Sequence, residues 1–359
     1  MKALVKYALA DGAVEVRDVP EPDPTPGRIL VEADAVGVCG SDVHMWHDHQ
    51  SWSVTLPLVL GHEIAGRVLE TGGVPGREVG ERVVVETAAS VCGRCAYCLT
   101  GQYNMCPHRQ GFGARADGAF RRYLLARPQI VHAIPDRVST EHAALTEPAC
   151  VAYNALVERV RITPGDLVVV QGAGAIGIMA TQIARIAGAG AVIVVGTSID
   201  AERLRVAREV GATHTVDLQT DDPLEVVRAL GDGFGADVVV DATGVSGALR
   251  QSLDLVRPLG TIAKVGWGPQ PFGASLDPLV ARAVTLAGSF SHTYRTWERV
   301  LDLMATGALR LDPVIGGRYH LDNWAEAFTA MEDGRNVKSV VTGFHDREDA
   351  AATARSDAL

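Results

Sequence analysis

The 359-residue chain contains no apolar run near the ~18–20 residues that a membrane-spanning helix needs. Its opening stretch, Met1–Asp18, lacks the apolar core of a signal peptide, which leads us to expect a cytoplasmic protein. A basic excess is also missing. Lys and Arg number 33 against 43 Asp and Glu, a net charge of −10, and such a surface does not suit a nucleic-acid backbone. No block of like charge is long enough to form an interaction tail. Internal repeats and low-complexity segments are absent as well. The 47% hydrophobic and 21% charged residues are those of an ordinary globular protein, and the length suits two domains better than one.

Residues 1 to about 150 mix short β-like runs, Ile29–Ala33 and Glu81–Glu86, with many Gly, Pro and His. That mixture predicts an irregular β-rich domain carrying functional loops. From Ala152 the character changes. Apolar strand candidates at 167–170, 191–195, 213–216, 237–240, 261–265 and 284–287 alternate with helical spacings such as Ile176, Ala180, Ile183 and Ala187. Buried strands separated by amphipathic helices predict an α/β unit with a six-stranded, doubly wound parallel sheet. A helix at Trp297–Thr306 and a strand at Lys338–Gly343 are expected to complete the first domain, and residues 348–359 to fray.

Four of the six cysteines, Cys92, Cys95, Cys98 and Cys106, follow the pattern C-x2-C-x2-C-x7-C. Without a secretory context this is a metal pattern rather than a disulfide framework. Four thiolates close all positions of a tetrahedral Zn²⁺, so this site would staple a loop and do no chemistry. A zinc-finger role in nucleic-acid binding fails on the charge balance and the lack of basic flanks. Upstream, Cys39 lies in CGSDVH and His62-Glu63 in GHE. One thiolate, one imidazole and a carboxylate or water suit an open, catalytic zinc site. Taken alone, the default reading of the same residues is a buried thiol and a capped histidine. Trp46, His47, His49 and Trp52 suggest an aromatic cleft wall, and Cys150 an inert thiol near the domain junction.

After the first predicted strand of the α/β unit comes Gly172-Ala-Gly174-Ala175-Ile176-Gly177, which opens a helix. The first glycine allows a tight turn, the second a close approach of the backbone to a pyrophosphate, and the third helix-on-strand packing. This predicts a nicotinamide dinucleotide on the helix N-terminus. At the end of the second strand, where an acid reads the ribose of NAD, the chain has Gly196-Thr197-Ser198-Ile199-Asp200. Loss of that acid, with Thr197, Ser198 and Arg203 at hand for a 2′-phosphate, tilts the expectation slightly to NADP. Asp200 folding back would instead serve NAD.

CGSDVH (39–44), GHE (61–63), the cysteine lobe (92–106), TEPACVAYNAL (146–156) and GAGAIG (172–177) run in one order. With them the chain resembles the zinc-containing medium-chain dehydrogenase/reductase superfamily over residues 1–345, nearest to its sorbitol, threonine and butanediol dehydrogenase branch. The resemblance implies a GroES-like β-rich catalytic domain from 1–151 and 288–359, and a Rossmann domain from 152–287. It implies one catalytic and one structural zinc. Cys39 and His62 would hold the first, with carboxylate from Glu63 and Glu147. Ser41 would hydrogen-bond the substrate hydroxyl, and His44 would carry its proton outward, with Glu63 beside them at the catalytic site. The substrate class implied is a polyol, sugar alcohol or vicinal diol. A threonine-type amino-alcohol dehydrogenase and a non-catalytic NAD(P)-binding relative remain as alternatives. Sorbitol dehydrogenases of the branch carry an arginine after the last Rossmann strand, whereas this chain has Ser289, Ser291 and His292 there. His292 either takes over that role or packs against the following helix. The resemblance further implies a homodimer or homotetramer, joined through the strand at 284–287.

Overall fold

A strand that is apolar on both faces needs cover on both, and Leu167–Gln171 (β1) is buried at every position. In the computed structural model, which describes residues 1–344, β1 lies at the centre of a six-stranded parallel sheet. The other strands are Ala191–Gly196 (β2), His214–Asp217 (β3), Ala236–Asp241 (β4), Val256–Lys264 (β5) and Thr285–Gly288 (β6). Their spatial order, β3-β2-β1-β4-β5-β6, reverses direction beside β1, which opens a ligand crevice at the carboxyl ends of the strands. All six expected strands are present; β5 begins five residues earlier than the apolar run 261–265 suggests. The helix Ala175–Ile186 follows β1 and buries Ala180 and Ile183, as the spacing predicts.

The N-terminal half builds a second sheet from Ile29–Gly37, Glu63–Glu70, Arg82–Val85, Tyr123–Ala126 and Val131–Ala133. The chain returns to it late. Lys338–Thr342 pairs antiparallel with Ile29–Gly37, and Ile315–His320 pairs with Lys338–Thr342. The largest apolar cluster unites Ala35 and Val84 of the second sheet with Val170 of the parallel sheet, and with Cys150 and Trp297 from helices. A shared core of this kind fixes the two halves against each other.

Arg203 adds a polar tie between the halves. Its Nε donates to the Asn336 carbonyl at 3.0 Å, and Nη2 donates to the Met331 carbonyl. Among the described residues no helix is long and apolar enough to cross a membrane. The expectation that 348–359 fray falls outside the described residues.

Candidate active site between the two halves

Two turns bring the sulfur and the imidazole together. Cys39 caps the helix Gly40–Trp46, and the acid at the third position of that helix, Asp42, accepts the Cys39 amide at 2.9 Å. The other Asp42 oxygen accepts the Gly61 amide at 3.3 Å and lies 3.9 Å from His62 Nδ1. One fully buried carboxylate thus ties the Cys39 turn to the His62 turn. Sequence reasoning missed Asp42, although an acid three residues after a helix N-cap is a readable signal.

Donor atoms of Cys39, His62 and Glu63 lie within 4.8 Å of one another. Burial disfavours a charged His62, but the negative charges of Cys39, Asp42 and Glu147 outweigh it and raise its pKa well above the usual histidine value. A cluster of acids and a thiol that favours positive charge in its midst is chemically suited to a zinc ion. Glu147 faces the same cavity as Cys39 and His62. Burial would raise its pKa, yet the hydrogen bond and charge of His292, with His62 and Lys338, bring it down.

His292 resolves one open expectation. It is 2% exposed, accepts the Trp297 indole N–H at 2.6 Å, and sets its other ring nitrogen 3.2 Å from Glu147 Oε1. It therefore positions Glu147 and does not stand in for a substrate-binding arginine.

Glu63 stands in the same cluster as Cys39 and His62 and has a buried partner besides. Both its oxygens bind Lys338 Nζ, at 2.7 and 2.8 Å, and that ammonium also donates to the Val38 carbonyl. Both side chains are buried, and Glu63 is not among the residues facing the cavity. The lysine balances the charge of a carboxylate that lies beside Cys39 and His62, where it can still offer an oxygen to a metal.

The cavity measures about 700 Å³ and is bounded by residues of both halves. Cys39, Ser41, His44, His62 and Glu147 face Ile176, Thr243 and Val265 across it. Trp52 and Trp267, one from each half, meet edge to face with centroids 5.9 Å apart. Trp46 instead packs on Trp324 and Phe328. His47 turns to Asp11 and Glu332, so the expected aromatic wall narrows to Trp52. Cys150 is buried, which raises its thiol pKa, and it does not face the cavity.

The glycine loop has the shape a pyrophosphate needs. Gly172 has φ +97°, open to glycine at little cost. A Cβ on Gly174 would meet nothing within 4 Å, so its backbone is bare toward the crevice. A Cβ on Gly177 would lie 1.8 Å from the Gly172 carbonyl oxygen, so the helix can pack this closely only with glycine there.

The three groups expected to receive a 2′-phosphate are engaged with acids and backbone carbonyls in this structure. Thr197 donates its amide and its hydroxyl to Asp200 Oδ2, at 3.1 and 3.0 Å. Ser198 Oγ donates to Asp217 at 2.6 Å, and Arg203 binds Asp200 at 2.9 Å besides its ties to residues 331 and 336. Asp200 does fold back: a Cβ built on Gly196 would lie 3.3 Å from its Oδ2.

At the cysteine lobe, the four sulfurs lie within 4.8 Å of one another. Cys92 Sγ is 3.9 Å from Cys98 Sγ and 3.6 Å from Cys106 Sγ. Ligands 2.3 Å from a tetrahedral zinc are about 3.8 Å apart, whereas disulfide sulfurs are about 2.05 Å apart. The spacing suits a shared metal.

The comparisons with known proteins agree with this geometry. Residues 25–136 match the alcohol dehydrogenase GroES-like domain, and residues 175–306 match the zinc-binding dehydrogenase family. The chain belongs to the zinc-dependent medium-chain dehydrogenase/reductase superfamily, in its polyol and threonine dehydrogenase branch. It is 39% identical to a sorbitol dehydrogenase of Halalkalibacterium halodurans, over 95% of this chain and 99% of the relative. It is 36% identical to a D-arabitol-phosphate dehydrogenase of Enterococcus avium, over 95% and 97%. Among solved structures, the 2R,3R-butanediol dehydrogenase of Bacillus subtilis superposes with a TM-score of 0.84 at 28% identity, covering 95% of this chain and 99% of that one.

Proposed function

We propose that the protein oxidises a secondary alcohol of the polyol, sugar-alcohol or vicinal-diol class, or reduces the matching ketone, with hydride passing between the alcohol carbon and a nicotinamide dinucleotide. The observation that carries this reading is the single cavity in which Cys39, His62 and Glu147 face Ile176 and Thr243 of the dinucleotide-binding half. Cys39 and His62, with carboxylate from Glu63 or Glu147, would hold the catalytic zinc, and Cys92, Cys95, Cys98 and Cys106 a structural one. Zinc at the first site supplies Lewis acidity, which lowers the pKa of a hydroxyl bound there. Ser41 receives the hydroxyl proton by hydrogen bond and His44 passes it toward solvent. Trp52 and Trp267 exclude water from the reacting carbon. Residues 1–151 with 288–359 form the catalytic domain in this reading, and 152–287 the dinucleotide-binding domain; the pairing of Lys338–Thr342 with Ile29–Gly37 supports that division. The exposed edge strand β6 suits pairing with a second copy in a homodimer or homotetramer. A cytoplasmic location goes with this activity.

For the cofactor, the engaged Thr197, Ser198 and Arg203, with Asp200 and Asp217 close by, favour NAD over the NADP that the sequence hinted at. The deciding experiment assays polyols, diols, sugars and amino alcohols with both dinucleotides side by side. We expect turnover of a polyol or diol and at least a tenfold preference for NAD. Turnover confined to amino alcohols would replace the polyol reading with the threonine type, and a preference for NADP would reverse the cofactor reading.

A further inference from the structure

We propose that the substrate carries an anionic oxyacid group, a phosphate monoester or a carboxylate, and that Arg109 holds it, assisted by Arg115. The inference rests on the alcohol-oxidation reading above and names a chemical group within that substrate class.

Acids outnumber bases in this chain, and carboxylates partner many of its arginines. Arg67 binds Asp34, Arg77 binds Glu81, Arg257 binds Asp232 and Asp237, and Arg318 binds Glu141. Two arginines that line the catalytic cavity differ. Among the described residues, neither Arg109 nor Arg115 has a carboxylate partner. Arg109 Nη2 donates to two neutral oxygens, Thr87 Oγ1 at 2.7 Å and Ser291 Oγ at 3.4 Å, and its guanidinium lies 5.4 Å from the Phe290 ring centroid. Its Nε is shut off from solvent with no acceptor, and its Nη1 makes no hydrogen bond among the described residues. Burial lowers the Arg109 pKa while the charges of Glu147 and Glu86 oppose that effect. Those two carboxylates are bound elsewhere, Glu147 to His292 and Glu86 to Tyr103 and His132.

A guanidinium partly withdrawn from water, its Nε buried and unpaired, lacks a counter-ion here, and an incoming anion would supply one. Arginine presents a planar fork that suits phosphate and carboxylate alike. A second orphan lies in the same cavity. Asn104 donates through Nδ2 to the Phe290 carbonyl at 3.0 Å, while its buried Oδ1 accepts from nothing. A donor fork for an oxyanion and a free acceptor for a hydroxyl, in one cavity with Cys39 and His62, describe a hydroxylated chain bearing an acidic group. Ser291, held at φ +54°, keeps its side chain beside Arg109 in a backbone conformation that few non-glycine residues adopt.

The test uses the zinc-loaded enzyme and a matched set of five-carbon compounds: a neutral polyol, its terminal phosphate ester and its terminal aldonate. We expect kcat/KM for one anionic member to exceed that of the neutral polyol by about tenfold to hundredfold, and the preferred member identifies the anion. Arg109→Met should erase the preference through KM, Arg109→Lys should keep part of it, and cofactor affinity should not change. Arg115→Gln, at an exposed position, should reduce the preference less and serves if Arg109→Met fails to fold. Inorganic phosphate should compete with the anionic substrate in the wild-type enzyme and not in Arg109→Met. A neutral polyol used as well as both anionic forms would overturn the proposal and leave the polyol reading intact. A preference that survives Arg109→Met, or an equal loss of cofactor affinity in that variant, would overturn it too. If none of the three compounds turns over, the polyol reading is what fails, and calorimetric binding of the same set to wild-type and Arg109→Met protein then decides the role of Arg109 by the same criterion.

Discussion

The two cysteine-bearing clusters are assembled in different ways. Cys92, Cys95, Cys98 and Cys106 come from one loop, bring four sulfurs together, and leave no position for a substrate. Cys39, His62 and Glu147 come from three segments and stand open to a cavity of about 700 Å³. Around the second cluster the charges are buried and compensated: Asp42 by backbone amides of two turns and, over long sequence distances, Glu63 by Lys338 and Glu147 by His292. A closed site needs only a loop of suitable length. An open site needs a scaffold that keeps its ligands apart from one another and its counter-charges in place.

That contrast is broken most directly at Cys39. Replacing it with serine should lower kcat on the order of a thousandfold while cofactor affinity stays within about twofold, as measured by dinucleotide titration. Near-normal turnover would remove the distinction between the clusters. Next in size is the buried counter-charge. Lys338→Met strands the Glu63 carboxylate in the core and should cost roughly 3–5 kcal/mol of stability in denaturant unfolding. A loss below about 1 kcal/mol would mean that Glu63 escapes its buried position or takes up a proton at little cost.

His44 gives a smaller, pH-dependent effect. Burial, followed by the charges of His49 and His47, lowers its pKa, and Glu332 opposes them. Only the neutral imidazole can accept a proton, so the rate should fall as pH drops through this pKa. The acid limb of kcat/KM should therefore lie below the ordinary histidine value of about 6.5. His44→Asn should lower kcat about a hundredfold near neutrality and remove that limb. An unchanged pH profile in the variant would assign proton transfer elsewhere.

What was legible in the sequence follows the same division between local and distant. The glycine loop could be read because its three glycines answer demands set within six residues, and the cysteine lobe because chelation by a short loop fixes its own spacing. The central apolar runs of the parallel sheet were equally plain, since 167–171 and nearly all of 191–196 are buried on both faces. The counter-charges were not legible. Lys338 meets Glu63 across 275 positions, and His292 meets Glu147 across 145. Arg203 shows the same limit: its guanidinium is held by backbone carbonyls 128 and 133 positions away, which local reading could not show. Arg109 went unnoticed because nothing near it in sequence shows that Phe290 and Ser291 will lie against it.

The smallest expected effect tests how separate the two clusters are. Backbone amides of Arg94 and Cys95 hold the Cys92 thiol down to about 6, whereas burial and hydrogen bonds from Cys95 and Cys106 push Cys98 up to about 12. A metal must then displace a proton from Cys98 at any working pH, so zinc at the lobe should bind more weakly as pH falls. Cys98→Ser should reduce the zinc content from two per chain to one and lower the melting temperature by about 5 °C. The catalytic ligands are untouched, so kcat should change less than about threefold. KM should respond more, because Asn104, Met105 and Cys106 of the lobe line the cavity and the Arg109 amide donates to the Cys106 carbonyl at 3.0 Å. A variant that loses kcat as severely as Cys39→Ser would show that the lobe, closed to substrate, still governs the geometry of the open site.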